Sequence, residues 1–125
     1  MSTIVVTNIG DGTKTVPSTV VTEGGIKAWV GEYNQSVPTT NDTYNISSIT
    51  DVAAGLSTDN FTNNQGGTTY GIVGSQSNSL NPVGMNWATS DDKTTGLCDM
   101  RARNANAGTF SDAQNQNRAY MGDLA

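Results

Sequence analysis

The residues of this 125-residue chain that could do chemistry are few: one cysteine, Cys98, eleven Asp and Glu, four Tyr, two Trp and no histidine. Without histidine, Ser-His-Asp and Cys-His nucleophile systems are ruled out, as are the commonest general base and the usual transition-metal ligand. Paired carboxylates could hydrolyse a glycan. Asp91-Asp92 is the only adjacent acidic pair, but neighbouring turn or strand side chains diverge and Asp favours turns. The pair reads as a solvated turn. Asp51, Asp59, Asp99 and Asp112 are isolated, and no D-x-D-x-D-G calcium loop occurs. Cys98 falls in a strand pattern and reads as a small core hydrophobe rather than a reactive thiol. Gly24-Gly25 and Gly66-Gly67 lack the strand-loop-helix setting of a phosphate loop. Four N-x-S/T sequons, at Asn34, Asn41, Asn45 and Asn60, match the about three expected by chance in so Asn-, Ser- and Thr-rich a chain. No catalytic residue, metal ligand or cofactor is therefore assigned, and the chain is not expected to be an enzyme.

What remains is binding. Aromatic faces beside Asn, Gln and Asp make sugar platforms through stacking and hydrogen bonding. Aromatics in a thin β-core are more often core, and Trp29 and Trp87 are read that way. Tyr33 and Tyr120 divide about evenly between core and surface.

These residues must be positioned by a β-rich scaffold. Leu, Ile, Val and Phe total 22 residues, whereas Thr, Asn, Gly and Ser total 57. That apolar share is under the roughly 20% level at which disorder becomes an option. Disorder also needs high net charge, and only 14% of residues are charged, for a net charge of −5. Such a chain gains stability from neighbouring subunits. A pI near 4.2 argues against nucleic acid. No apolar run approaches the roughly 18 residues that span a bilayer, so no membrane insertion is expected. The first residues lack the basic start and apolar middle of a signal peptide, and a lone cysteine forms no intrachain disulfide. Synthesis in a cytoplasm followed by assembly into a particle fits these features.

Gly and Asn are too frequent for long helices. Strand signals fall near 26–33, 43–50, 57–62, 69–75, 83–90, 95–103 and 117–122, at the spacing of a sandwich or barrel. Alternation points Cys98, Met100 and Ala102 inward and Asp99, Arg101 and Arg103 outward. Met85 and Trp87 share a face, and 104–116 is the longest polar gap. Ahead of the body, β-branched runs at 3–7 and 13–22, the second interrupted by Pro17, read as an extended arm that ends in a Glu23-Gly24-Gly25 hinge. The expected fold is all-β: an antiparallel β-sandwich or jelly-roll-like body over 26–125, with an N-terminal arm over 1–25.

Three segments carry a resemblance to a known family. They are Met1-Ser2-Thr3-Ile4 with Ile9, Lys27-Ala28-Trp29-Val30, and Asn45-Ile46-Ser47-Ser48-Ile49-Thr50-Asp51 followed by Asn60-Phe61-Thr62. Together they resemble the short tail-fibre proteins of marine and cyanobacterial tailed bacteriophages, in which a "KAWVNF" strand leads into "NVSSITD" and "VNFTTA". The likeness covers about a third of the chain. The chain departs from the family at Gly31-Glu32-Tyr33-Asn34, where "NFNG" is usual, and over 39–43, where an "IRDS" segment is missing. These departures bear on receptor specificity more than on fold. The resemblance implies a homotrimeric virion protein of the tail, synthesised in the bacterial host cytoplasm and partnered by other phage tail proteins. Its receptor would be a host surface glycan or outer-membrane component. The rival reading is a purely structural virion protein, a fibre adaptor or capsid decoration, without receptor contact.

On this reading Ile4, Val5, Val6 and Ile9 attach the arm to the virion. If the body strands run up and down from Ile26, the loops 34–42, 63–68 and 91–94 share a distal end, and 51–56, 76–82 and 104–116 the proximal one. The receptor-facing set is then Tyr33, Asn34, Gln35, Asn41, Asn63, Asn64, Gln65, Asp91, Asp92 and Lys93, on loops carried by a rigid scaffold.

Overall fold

The computed structural model describes residues 6–10, 12–17, 25–77, 92–102 and 109–125. The expected strand 83–90 with Met85 and Trp87, the hinge residues Glu23 and Gly24, Arg103 and the start of the 104–116 gap lie outside them. Among the described residues the fold is all-β. Strands β1 (Asn8–Gly10) and β2 (Thr15–Pro17) form a two-stranded antiparallel ladder, so the expected extended arm folds back on itself here. Pro17 pairs with Asn8 at the end of this ladder, a position where its missing N–H is tolerated.

The body consists of β3 (Ile26–Tyr33), β4 (Asp42–Tyr44), β5 (Ile46–Ala53), β6 (Leu56–Phe61), β7 (Gly71–Ser77), β8 (Leu97–Arg101) and β9 (Asn115–Met121). They form two antiparallel sheets, β4-β3-β9-β7 and β5-β6-β8, packed face to face in a sandwich-like arrangement. β3 has the expected boundaries, and β6 to β9 fall on the expected segments that the structure describes. Cys98, Met100 and Ala102 are buried as alternation required.

The expected strand 43–50 is instead two strands. β4 runs back beside β3 for three residues and stops at Asn45, which takes a left-handed φ of 56°, a conformation Asn tolerates well. The chain then steps into the other sheet and reverses. Asn45 Nδ2 fixes this step by donating to Lys27 O at 3.1 Å and Asn63 O at 3.0 Å.

The two sheets enclose an apolar cluster of Ala28, Phe61, Tyr70, Cys98, Met100 and Tyr120, with Ile46 and Ile72 packed against it. Phe61, Tyr70 and Tyr120 meet edge to face, with ring centroids 5.0 to 6.1 Å apart, the geometry favoured by ring quadrupoles. Tyr70 Oη donates to Thr94 O at 3.1 Å and Leu97 O at 3.0 Å, so the 94–97 turn is tied to the core.

A two-residue connection, Ala54-Gly55, joins β5 to β6. Gly55 has φ 67°, and a Cβ there would lie 2.5 Å from Ala102 O and 2.7 Å from Ser111 N. Its N–H donates to Asp112 Oδ1 at 2.8 Å. Gly55→Ala should therefore combine left-handed strain with a backbone clash and cost about 2–4 kcal/mol, read as a lower urea midpoint at unchanged m-value.

Candidate functional site

β3, β9 and β7 run along one sheet, β5, β6 and β8 along the other, and their registers sort the loops into two ends. The turn after β3 lies with Ala53 and Ala113: Gln35 Nε2 donates to Asp51 Oδ1 at 3.0 Å and Ala53 O at 3.1 Å, and Gln35 N to Ala113 O at 3.0 Å. The opposite end gathers 62–70, 92–96 and 121–125, linked by Gln65 N to Thr95 O and by Ala125 N to Asn64 O. The common-end arrangement is thus corrected. Asn64 and Asp92 share an end, but 34–42 lies at the other one, beside 51–56 and 109–115. The cause is the reversal at Asn45, which adds one traverse to an up-and-down count.

Tyr33, Asn34, Gln35 and Asn41 therefore sit together, and Asn63, Asn64, Gln65, Asp92 and Lys93 sit together at the far side of the body. Tyr33, Gln35 and Gln65 are buried, at 2, 2 and 1% exposure, and do not face outward. Asn34 is half-buried, and Asn41, Asn63, Asn64 and Asp92 are exposed. Lys93 lies 4.7 Å over the Tyr70 ring and donates to Tyr70 O at 3.0 Å. Asp91, Ile4 and Val5 are outside the described residues. Val6 and Ile9 are exposed, at 44 and 46%.

Tyr33 is turned inward by a bulge. The β3–β9 register shifts between Val30 and Tyr33, and Glu32 has φ 54°, so the inward parity of Ala28 and Val30 resumes at Tyr33. Glu32 N donates to Asn117 Oδ1 at 3.1 Å, and Glu32 also accepts from Asn41 Nδ2.

Behind Tyr33 lies a buried polar network that the sequence reading missed. Arg118 Nη1 pairs with Asp59 Oδ1 across the two sheets. Arg118 Nη2 donates to Ser57 Oγ at 2.9 Å and to Gln116 Oε1. Tyr120 Oη donates to Asp59 Oδ2. Gln116 Nε2 passes the chain to Gln35 Oε1 at 3.1 Å, and Gln35 reaches Asp51. The Arg118 guanidinium also lies 5.2 Å from the Tyr33 ring centre. Asp59 and Ser57 are fully buried and Arg118 is 4% exposed. Burial and the adjacent Asp59 carboxylate hold the Tyr120 hydroxyl's pKa well above its usual value, so it remains a donor. The signal available in sequence was the spacing Gln116, Arg118, Tyr120 against Ser57, Asp59, Phe61, each on one strand face.

Two further carboxylates, Asp99 and Asp112, also hold structure. Asp99 Oδ1 accepts from Thr58 Oγ1 at 2.5 Å, and Asp112 Oδ1 from Gly55 N. Among the described residues, no group of three or more His, Cys, Asp or Glu could hold a metal ion. Cys98 is buried, and burial pushes its thiol up to about 11. No described helix is long and apolar enough to cross a membrane, which says nothing of strands.

Among the described residues, two surfaces stand out as able to take a ligand or partner. One is a cleft of about 210 Å³ between the 38–43 turn and β5. The other is the outer face of the four-stranded sheet. There Tyr44, Trp29, Ala119 and Val73 stand opposite one another across all four strands. Trp29 is thus corrected: it is half-buried on the outer face rather than in the core. Its ring lies along its own strand, and a Cβ on Gly31 would come within 3.1 Å of Trp29 Cζ3.

Comparison with protein-family models, curated proteins and solved structures returns no match to this chain.

Two outcomes follow from this geometry. Arg118→Met or Asp59→Leu alone leaves one buried charge unpaired and should cost about 3–5 kcal/mol; the double variant should cost less than the sum of the two, as a denaturation cycle will show. Cys98 should stay unlabelled by a disulfide reagent at pH 8 in the folded chain and react at once in denaturant. Its raised pKa also means a stability contribution fully present below the unfolded thiol's value near 9 and lost as pH rises toward about 11.

Proposed function

We propose that the chain is a non-enzymatic, homotrimeric tail-fibre-type subunit of a phage virion. Its arm attaches to other tail proteins, and its body contacts the host surface. The observation that carries the oligomeric part is the row Tyr44, Trp29, Ala119 and Val73. Tyr44 and Val73 are 55 and 53% exposed, and Ile26, at 55%, extends the patch. A trough of about 550 Å³ lies along this face, lined by Trp29, Gly31, Val73, Asn117 and Ala119 among others. Contiguous exposed apolar surface marks an interaction site, and a thin core gains stability by covering it with a second copy. The tail-fibre assignment is supported by the likeness of the Lys27–Val30 and Asn45–Asp51 segments, which here form the platform strand β3 and the strand β5 that borders the cleft. The attachment role is supported by the exposed Val6 and Ile9.

Light scattering at micromolar concentration should give three times the 13.1 kDa subunit mass, and Val73→Glu with Trp29→Ser should reduce it to that of the monomer. A wild-type chain that folds cooperatively as a monomer would sink the trimeric reading. Deleting residues 2–22 should leave the trimeric body folded but absent from particles; normal incorporation of the truncated subunit would exclude the arm as anchor.

A further inference from the structure

We propose that the cleft between the 38–43 turn and β5 binds a single ring of a neutral sugar. This deepens the host-contact part of the proposed function. The cleft lies within one subunit, however, so binding does not require the trimer.

The cleft exists because β4 is only three residues long and the chain leaves it for the opposite sheet at Asn45. The sandwich edge is therefore open between β4 and β5. Tyr33, Pro38, Ile46 and Ile49 supply apolar walls, the surface on which the C–H face of a pyranose packs. Thr39, Thr43, Ser47 and Ser48 supply hydroxyls. Ser47 Oγ already donates to Asn60 O at 3.1 Å and keeps lone pairs to accept. Ser48 Oγ accepts from Asn60 Nδ2 at 3.1 Å and keeps its proton to donate. Thr40 is committed elsewhere, donating to Gly31 O at 3.1 Å. A lining that both donates and accepts matches sugar hydroxyls, which do both.

No charged side chain lines the cleft, and the chain carries a net charge of −5, so acidic ligands are disfavoured. A volume of about 210 Å³ is below the roughly 300–1,000 Å³ of pockets that enclose drug-sized ligands, which limits the buried part to one ring.

The test is a titration of the full chain, followed by amide chemical shifts, with the methyl glycosides of glucose, galactose, mannose and N-acetylglucosamine, and with glucuronate. At least one neutral glycoside should give saturable shifts at 33, 38–40, 43 and 46–49, with a dissociation constant on the order of millimolar for so small a ligand. Glucuronate should bind more weakly. Ser48→Ala, at an exposed position, should keep the wild-type melting temperature yet weaken binding about tenfold, the worth of one good hydrogen bond. Thr43→Trp should fill the cleft and abolish the shifts; if it does not fold, the Ser48→Ala titration decides. Absence of saturable shifts with every neutral glycoside, shifts centred elsewhere, or unweakened binding by Ser48→Ala would overturn the site. A monomer that still binds glycosides overturns the trimer and leaves the cleft, whereas a trimer without saturable shifts overturns only the cleft.

Discussion

The Arg118–Asp59 pair joins the two sheets at the centre of the body, and the rest of the arrangement is built around it. Moving two charges out of water costs several kcal/mol per ion unless their hydrogen-bonding capacity is filled. Here Tyr120, Ser57 and Gln116 fill much of it. The directionality of these bonds fixes which face of β9 looks inward and where β6 must lie against it. That constraint answers the problem set by the composition. With few aliphatic residues, the sandwich places its apolar cluster toward the end where β3 begins. In the other half of the interior it sets polar groups among Val30, Tyr33, Ala102 and Ala113, and these polar groups specify one arrangement.

The network reaches further than the pair. Through Gln116 it holds Gln35, and through Gln35 it holds Asp51 and Ala53. The turn after β3 and the end of β5 are thus anchored to the same interior. Tyr33 is sandwiched into this layer with its ring near the guanidinium. The open edge between β4 and β5 therefore has firm walls on both sides, although β4 itself is short. A cleft at the edge of a sandwich would ordinarily be a soft feature; here buried hydrogen bonds on both flanks counter that softness.

How much of this could be read from the sequence varied by element. The strand positions were legible because β-branched and aromatic runs stand between Gly and Asn turns. The inward set Cys98, Met100 and Ala102 was legible because β8 alternates cleanly. β9 was not. Its apolar residues Ala119 and Met121 suggest one inner face, while Gln116, Arg118 and Tyr120 actually occupy it. Trp29 was misplaced because a large aromatic in a thin β-protein is expected inside; its register opposite Ala119 puts it on the outer face. The split at Asn45 left one trace, Tyr44 and Ile46 out of alternation with Ile49, which reads as a bulge or as burial on both sides rather than a change of sheet, because a left-handed Asn inside a β-type run leaves no compositional mark. That single residue reversed the direction of the chain and separated loops expected to be neighbours. The bulge at Glu32, which turns Tyr33 inward, was equally silent.

The inversion in β9 also bears on function. A one-residue slip would exchange the two faces of a strand, placing Ala119 inside and Arg118 outside, as hydrophobicity alone would favour. The ion pair with Asp59 opposes that exchange. Its consequence is that Trp29, Ala119 and Val73 stay on the outer face, where an isolated subunit gains nothing from them. A chain with so small an apolar inventory places a tryptophan, a tyrosine and a valine in one cross-strand row outside its own core. That allocation is uneconomical for a solitary domain and reasonable for one completed by its neighbours. The same chain sets hydroxyl groups among the apolar walls of the cleft at the sheet edge. The two surfaces thus differ in chemistry as well as in place: a dry face suited to a subunit, and a hydroxyl-lined cleft suited to a small neutral ligand.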